Sequence, residues 1–136
     1  MGDVGGKTLK YDFDGKTALV TGGAAGLGRV IACAFARQGA SVVVADINLA
    51  GAEETVRHIE AGGGTGASVR TDVASEEDVK ASVAVAVDRY GTLDFACNNA
   101  GIASARLPIA ELPRDRWDRI VAVNLTGVFQ CLKYEL

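Results

Sequence analysis

Short apolar runs alternate along this chain with longer segments in which apolar residues recur with helical spacing. The run 17–20 precedes a glycine-rich turn, and a segment with helical periodicity follows that turn. The apolar positions of this segment are Leu27, Val30, Ile31, Ala34 and Phe35. Gly39 follows as the glycine that commonly ends a helix, and a β-branched run occupies 41–45. The pattern predicts a strand, a helix and a second strand.

The same alternation continues to the last residue. Helical spacing predicts helices over 49–61, from Ser75 to Tyr90 and from Arg114 onward, whereas 65–70 and 93–97 are predicted strands and 102–113 a loop. The apolar positions expected to face the core on these three helices are Leu49, Ala52, Val56 and Ile59; Val79, Val83, Ala86 and Val87; and Trp117, Ile120, Val121, Leu125, Val128, Phe129 and Leu132.

The predicted order βαβαβαβα determines the expected fold class. Strands that alternate with helices imply right-handed crossovers and a parallel sheet covered by helices on both faces. We therefore predict an α/β, Rossmann-type, doubly wound parallel sheet in three α/β/α layers that ends after the fourth βα unit. Residues 1–15 are predicted to be a flexible lead-in, with one nucleotide-binding domain over 16–136, a suitable length for a single domain.

The turn between the first strand and the first helix, residues 21–28, carries the main candidate chemistry. Its glycines let the backbone approach a ligand closely, and the following helix offers unpaired N–H groups and a positive dipole end to phosphate. A glycine-rich turn alone is a weak signal. Asp46, however, ends the second strand 20 residues after Gly26, the spacing expected of an acid that binds the ribose of a dinucleotide.

Composition excludes several other classes of function. Apolar residues make up 49% of the chain, but no segment reaches the run of about 18 that a membrane helix requires. The net charge is −3 without a basic cluster, so we expect no membrane and no nucleic-acid partner. Cys33, Cys97 and Cys131 are isolated and predicted to be reduced thiols of a cytoplasmic protein, and His58 is predicted to lie on the surface, which leaves no metal site.

Four motifs together resemble the short-chain dehydrogenase/reductase family, from about Lys16 to the last residue. The family's T-G-x-x-x-G-x-G turn corresponds to Thr21, Gly22, Gly26 and Gly28, with Leu27 inside it, and its N-N-A-G turn to Asn98, Asn99, Ala100 and Gly101. The resemblance implies that Asp72 meets the adenine with Val73 beside it. It also implies that Asn124 is the helix asparagine of the catalytic Asn-Ser-Tyr-Lys tetrad, which bonds backbone and water near the catalytic lysine.

Each of these polar residues also has a purely structural interpretation. Asp72 could cap the next helix, although Ser75, in a segment that resembles a capping box, already serves that purpose. Asn98 and Asn99 could shape a turn, and in the family they do so while the turn backs the cofactor. Asn124 lies among apolar residues of the last helix, where an unpaired amide would be costly, so a buried polar role is expected.

The predicted cofactor is NAD. A carboxylate at Asp46 can accept hydrogen bonds from a ribose diol but would repel the 2′-phosphate of NADP. Gly23, Ala24, Ala25 and Ile47 provide no cation where NADP-binding members of the family place one, and Arg29 is expected to be solvated or near the pyrophosphate. The candidate cofactor residues at this edge therefore include Ile47 together with the two turns, Asp46, Asp72 and Val73.

The resemblance implies hydride transfer between NAD(H) and an alcohol or ketone, with a serine and a Tyr-x-x-x-Lys motif as the catalytic groups. None of the three tyrosines has the lysine, because Tyr11 is followed four residues later by Gly15, Tyr90 by Asp94, and Tyr134 by no residue. The chain is therefore expected to be the inactive cofactor half of an oxidoreductase that forms homo-oligomers, dimers or tetramers, by helix pairing. The alternative is a noncatalytic nucleotide-binding or assembly module.

Overall fold

The computed structural model describes residues 11–104 and 106–136. Its four strands form one parallel sheet in the order β3-β2-β1-β4. The strands are β1 Thr17–Thr21, β2 Ser41–Asp46, β3 Thr65–Arg70 and β4 Phe95–Asn98. Thr21 pairs with Ala45 on one side and Asn98 on the other, so the ends of β1, β2 and β4 reach the same edge. This order confirms the predicted doubly wound α/β fold, although β4 begins two residues later than predicted.

Helices cover both faces of this sheet. They are α1 Gly26–Arg37, α2 Leu49–Ala61, α3 Glu76–Tyr90, α4 Arg114–Val121 and α5 Gly127–Glu135. Alternate residues of the strands point to opposite faces. Val20, Val42 and Val44 pack with α1 and α2, whereas Leu19 and Val43 pack on the other face with α3. The continuous β-branched run of β2 is buried because both of its faces are covered.

Glycines and caps end the helices as the sequence predicts. Gly39, Gly63 and Gly91 have positive φ angles of 100°, 81° and 82° just after α1, α2 and α3. Ser75 is the N-cap of α3, and its hydroxyl accepts a hydrogen bond from the N–H of Asp78 at 3.3 Å. The reciprocal bond of a capping box is not made, because the carboxylate of Asp78 accepts from the N–H of Asp72 at 2.9 Å instead.

The apolar stripe predicted for α1 is partly wrong. Leu27 and Val30 are 68% and 60% exposed, whereas the small residues Gly28, Ala32 and Ala36 form the buried face. Small side chains allow the helix axis to approach the strands, and this close approach displaces the larger residues to the flanks. Leu49 and Val87 are likewise exposed, and their helices α2 and α3 bury Thr55 and Ser82 in addition to apolar residues.

The helix predicted from Arg114 onward is interrupted. A π-helical segment, Ala122–Thr126, separates α4 from α5, and the loop before α4 contains a 3-10 turn at Ile109–Glu111. A π turn inserts an extra residue and shifts the face that follows. The buried residues of this region are Val123, Gly127, Gln130 and Cys131. Four residues predicted to face the core are instead exposed: Trp117, Leu125, Phe129 and Leu132.

The predicted flexible lead-in falls partly outside the described residues, and its last part is packed. The N–H of Phe13 donates to the carbonyl of Gln38 at 2.8 Å, and the ring of Phe13 lies 4.8 Å from that of Phe95 and 5.9 Å from that of Phe35. Tyr11 stacks on Phe13. These aromatic rings cover the ends of β4 and α1, so the last part of the lead-in contacts the domain, and the boundary at residue 15 stays a prediction.

Within residues 11–104 and 106–136, no helix has the length and apolar character needed to cross a membrane. No group of three or more His, Cys, Asp or Glu side chains in these ranges could hold a metal ion.

Candidate functional site

The glycine-rich turn between β1 and α1 has the geometry that its sequence predicts. Gly22 and Gly26 have positive φ angles of 67° and 52°, which glycine adopts readily. A Cβ atom on Gly28 would lie 2.0 Å from the carbonyl oxygen of Gly22, so the first turn of α1 touches the end of β1. A Cβ on Gly26 would meet no atom within 4 Å, because this part of the turn faces open space. The backbone of the turn is therefore open at Gly26 and tightly packed at Gly28.

The turn after β4 supports the glycine-rich turn from the side. The Nδ2 atom of Asn99 donates to the carbonyl oxygens of Thr21 and Gly22, each at 3.1 Å. The backbone N–H of Ala100 donates to the hydroxyl of Thr21 at 3.1 Å. Thr21 is 2% exposed, so these bonds are shielded from water. Asn99 and Thr21 thus join two turns that are far apart in sequence.

Asp46 holds the glycine-rich turn from the other side. One carboxylate oxygen accepts the N–H of Ala24 at 3.0 Å, and the other accepts the N–H of Asn48 at 2.9 Å. A carboxylate has about four acceptor positions, so two remain for a ligand. Ile47, beside it, is 52% exposed. The acid that ends β2 is therefore oriented before any ligand binds.

Beneath the turn, Arg29 and Thr55 form a brace that the sequence does not reveal. The fully buried hydroxyl of Thr55 donates to the carbonyl oxygen of Gly23 at 2.7 Å and accepts from the Nε atom of Arg29 at 3.0 Å. The guanidinium of Arg29 also bonds the carbonyl oxygen of Ala24 and pairs with Glu54 at 2.9 Å. Arg29 is therefore bonded to the turn and to α2 rather than solvated, and its expected place near the pyrophosphate stays a prediction.

Asp72 follows β3 and faces the start of the π segment. One of its oxygens accepts the N–H of Ala74 at 3.0 Å, and the other lies 3.1 Å from the Nη2 atom of Arg119. Val73 is buried, and its carbonyl accepts from the side chain of Gln130 at 2.7 Å. The Asx turn to Ala74 shows that Asp72 also shapes the chain before α3, so the structural and the functional interpretations both remain compatible with its position.

These segments enclose a cavity of about 120 Å³ at the C-terminal edge of the sheet. Its lining combines residues from both turns, from the ends of β2 and β3, from α4 and from the π segment: Gly22, Asp46, Ile47, Thr71, Asp72, Val73, Ala100, Gly101, Ile102, Arg119 and Val123. The structure therefore brings seven of the predicted cofactor residues to one place. Sequence reasoning missed Thr71, Ile102, Arg119 and Val123, because no motif marks them and they lie at the edge only once the chain has folded.

Asn98, another candidate cofactor residue, is not among the residues that line this cavity. Its Nδ2 atom donates to a carboxylate oxygen of Glu135 at 2.9 Å. Its Oδ1 atom and the other oxygen of Glu135 are buried without a hydrogen-bond partner among the described residues. Burial raises the pKa of the Glu135 carboxyl, and it raises that of the nearby Cys131 thiol to about 11. Asn98 therefore connects β4 to α5.

Asn124, the candidate catalytic residue, is exposed rather than buried. Its Oδ1 atom accepts the N–H of Ile102 at 2.8 Å, and its Nδ2 atom donates to the carbonyl oxygen of the same residue at 2.8 Å. This reciprocal pair satisfies the amide at the surface, so the expected burial is wrong although the expected bonding to backbone is present. The π segment that contains Asn124 directs its side chain to the loop after Gly101.

Two observations support the fit of a dinucleotide to these residues. The open space at Gly26 and the close contact at Gly28 form the cradle in which a diphosphate can approach the start of α1. The hydroxyl of Thr71, one of the cavity residues, is buried and has no hydrogen-bond partner among the described residues. Asp46, Asp72 and the backbone of the two turns would hold such a cofactor.

Comparisons with known proteins agree with this geometry. The family model described as short chain dehydrogenase matches residues 16–136. The 2,5-dichloro-2,5-cyclohexadiene-1,4-diol dehydrogenase of Sphingobium indicum is 46% identical over 92% of this chain and 49% of its own. The cyclohexanol dehydrogenase of an Acinetobacter species is 42% identical over 96% of this chain and 52% of its own.

A solved structure of a short-chain dehydrogenase/reductase from Brucella melitensis, described as glucose/ribitol dehydrogenase, has a TM-score of 0.87 and 33% identity. The match covers 93% of this chain and 53% of that one. The chain thus spans about half the length of the relatives that it matches.

Proposed function

Because this chain belongs to the short-chain dehydrogenase family, we propose that it is the NAD-binding half of an oxidoreductase that transfers hydride between NAD(H) and an alcohol or ketone. The observation that carries the choice of NAD is the carboxylate of Asp46, fixed by the N–H groups of Ala24 and Asn48 at the end of β2. Its remaining acceptor positions suit a ribose diol and repel a 2′-phosphate.

Charge in the cavity supports the same choice. Asp46, Asp72 and Arg119 are the charged residues of its lining, so the cavity carries one more negative than positive charge. The guanidinium of Arg29, which could have served a phosphate, is held by Ala24 and Glu54 below the turn. When bound, NAD supplies the hydride acceptor. The residues of this chain bind its adenosine and diphosphate.

The chemistry at the substrate requires groups that this chain does not contain. A tyrosine acts as acid or base near neutral pH only if a cation lowers its pKa from about 10. No tyrosine here is followed by a lysine four residues later. Asn124, held by Ile102, is the one tetrad residue that we assign to this chain. We propose that it positions the catalytic lysine of the longer protein.

Calorimetric titration of the 136-residue chain tests the cofactor. We expect NADH to bind at least about tenfold more tightly than NADPH, which corresponds to about 1.4 kcal/mol of repulsion at the 2′-phosphate. Asp46→Asn keeps the shape of the side chain and removes its charge, and it should reduce this ratio. Equal dissociation constants of NADH and NADPH for the unmodified chain would contradict the proposal.

Activity gives the second test. Two relatives have names that refer to ring alcohols, so we propose cyclic secondary alcohols as the first substrates to assay with the longer protein. The 136-residue chain itself should produce no NADH from cyclohexanol and NAD. Absorbance at the NADH band measures this directly, and turnover by the chain alone would refute its assignment as a cofactor half.

A noncatalytic assembly module is the second candidate function. The exposed apolar residues Trp117, Leu125, Phe129 and Leu132 on α4, the π segment and α5 favour association. If the protein is instead the dehydrogenase, we propose that this same face pairs with a second copy, in a dimer or tetramer.

The mass of the protein purified from its native source separates the two candidate functions. A mass of 14.0 kDa would favour the assembly module, and a larger mass would favour the enzyme.

A further inference from the structure

Arg119 occupies a position that none of the sequence motifs marks. It lies on α4, one helical turn before Val123, and both residues line the cavity at the edge of the sheet. Its Nη2 atom is 3.1 Å from one oxygen of Asp72, and the other oxygen of Asp72 accepts the N–H of Ala74 at 3.0 Å. Arg119 thus completes the orientation of the carboxylate at the end of β3.

A role in folding alone does not account well for this ion pair. The side chains of Arg119 and Asp72 are 45% and 23% exposed, and ion pairs of this exposure contribute little to stability because water and salt screen them. A ligand that fills the cavity would remove that water and strengthen the attraction between the two groups. The pair is therefore better suited to a bound state than to the empty protein.

The guanidinium group has capacity for a further contact. Arginine carries five N–H donors on a planar group, and Asp72 accepts from one nitrogen. The planar face of arginine stacks on aromatic rings, and its N–H groups donate to ring nitrogens. A purine offers both an aromatic face and acceptor nitrogens, and its exocyclic amine can donate to Asp72.

We propose that Arg119 contacts the adenine base of the dinucleotide and positions Asp72 to accept from the adenine amine. This inference rests on the proposed function, since it concerns how the same cavity recognises its ligand. A role for Arg119 in binding a 2′-phosphate is disfavoured, because its charge is neutralised by Asp72 and a second carboxylate, that of Asp46, lines the same cavity.

The test uses ADP-ribose, which carries the base, both riboses and the diphosphate but no nicotinamide. Calorimetric titration of the 136-residue chain should show that Arg119→Met raises the dissociation constant by about tenfold, the size expected for loss of one stacking and hydrogen-bonding contact with a base. Arg119→Lys keeps the charge but not the planar group, and it should recover only part of the affinity.

Arg116→Met is the matched control, because it removes the same charge from an exposed position of α4 outside the cavity. It should change the dissociation constant of ADP-ribose less than about twofold, in line with weak screened interactions at the surface. The melting temperature of the ligand-free chain should differ little between the two methionine variants.

The outcomes separate this inference from the function on which it rests. If the unmodified chain binds ADP-ribose and Arg119→Met binds it equally well, the inference is wrong while the proposed function stands. A lower melting temperature with unchanged affinity would likewise overturn it and assign the ion pair to folding. If the unmodified chain binds neither ADP-ribose nor NADH, the proposed function fails and the inference fails with it.

Discussion

The two sides of the sheet differ in how completely their groups are satisfied. On the side of β2 and β3, the valines of β2 are fully buried between helices, and the hydroxyl of Thr55 has partners on the turn and on α1. On the side of β4, the apolar residues Leu125 and Phe129 of the last helical segments are more than 60% exposed. Asn98 and Glu135 each bury an oxygen without a partner among the described residues, whereas the corresponding atom after β3, the hydroxyl of Thr71, lines the cavity proposed for the cofactor.

This difference matches the roles proposed for the two sides, cofactor binding on one and catalysis on the other. We call the side of β2 and β3 the satisfied side. The residues proposed to hold adenosine and diphosphate, such as Asp46 and Gly26, belong to it and have their geometry before any ligand binds. Asn124, assigned to catalysis, lies at the surface in the π segment on the other side. Under the proposed function, the residues of this chain recognise the cofactor, and the serine, tyrosine and lysine of catalysis come from the longer protein.

Gly28→Ala should lower the free energy of unfolding more than any other substitution proposed for the satisfied side. The added Cβ would lie 2.0 Å from the carbonyl oxygen of Gly22 and 2.6 Å from the Nδ2 atom of Asn99, both of which are held in place. Overpacking against backbone typically costs up to about 3 kcal/mol. We expect a loss of this size in the free energy of unfolding, measured with urea, together with loss of ADP-ribose binding.

Gly26→Ala is the control for that substitution. A Cβ at Gly26 meets no atom within 4 Å, but the φ angle of 52° disfavours a side chain, so the expected cost is about 1 kcal/mol. A loss of stability as large as that of Gly28→Ala would show that backbone strain, and not the contact with Gly22, dominates this turn.

A pair of substitutions compares the two sides directly. Val44 is fully buried in β2 against α1 and α2, and Val44→Ala should lower the free energy of unfolding by about 2 kcal/mol through the cavity it leaves. Phe129 is 63% exposed on α5, and Phe129→Ser should change it by no more than about 0.5 kcal/mol. Urea denaturation measures both values, and similar losses would contradict the distinction between the sides.

The same Phe129→Ser variant tests the exposed apolar face. Removal of a large apolar side chain should reduce self-association of the chain, because exposed apolar surface favours contact between copies. Light scattering after size-exclusion chromatography measures the mass as a function of concentration. An unchanged mass that exceeds the monomer would show that copies associate through another surface.

Sequence alone predicted the elements of the satisfied side well for a physical reason. Val42, Val43 and Val44 form a continuous β-branched run because both faces of β2 are covered, and glycines mark the helix ends at Gly39 and Gly91 where φ is positive. Asp46 and Asp72 could be placed at one edge because the carboxyl ends of parallel strands meet there. These signals are local or follow from topology.

The errors arise where long-range packing decides. Leu27 fits an apolar stripe, yet small residues take the buried positions of α1 because this helix approaches the strands closely, and the π segment shifts the face of α5 so that Phe129 is exposed. The π segment that exposes Asn124 has no local sequence signal, and Arg119 reaches Asp72 across 47 positions of the chain. Single-sequence periodicity contains no information on such contacts.

Thr55→Val should weaken the brace under the glycine-rich turn and lower the free energy of unfolding by less than Gly28→Ala does. The substitution keeps the volume but leaves the carbonyl oxygen of Gly23 and the Nε atom of Arg29 without this partner. An unsatisfied buried polar group costs about 1–3 kcal/mol, so we expect a loss of about 2 kcal/mol. Thermal denaturation measures it, and Thr65→Val at an exposed position of β3 should have almost no effect.

The smallest predicted effect concerns pH on the β4 side, where Glu76 at the start of α3 connects to α5. Hydrogen bonds from Lys133 and Tyr134 lower the pKa of Glu76 from 4.5 to about 2. A carboxyl whose pKa is lower in the folded state stabilises the protein above its unfolded pKa, and this stabilisation is lost as the pH falls toward the folded value. The contribution of Glu76 should thus disappear between about pH 4.5 and pH 2.

Glu76→Gln isolates this contribution from the other carboxyl groups. The melting temperature of the variant should lie slightly below that of the unmodified chain at pH 6, and the two should converge as the pH falls below about 2, because the carboxyl is then protonated in both the folded and the unfolded state. The control is Glu53→Gln, which removes an exposed carboxyl on α2. Its melting temperature should differ from that of the unmodified chain by the same small amount at every pH. A constant difference for Glu76→Gln across this range would show that its contacts with α5 do not depend on charge, and the link between α3 and α5 would then rest on packing among Val79, Val123 and Cys131.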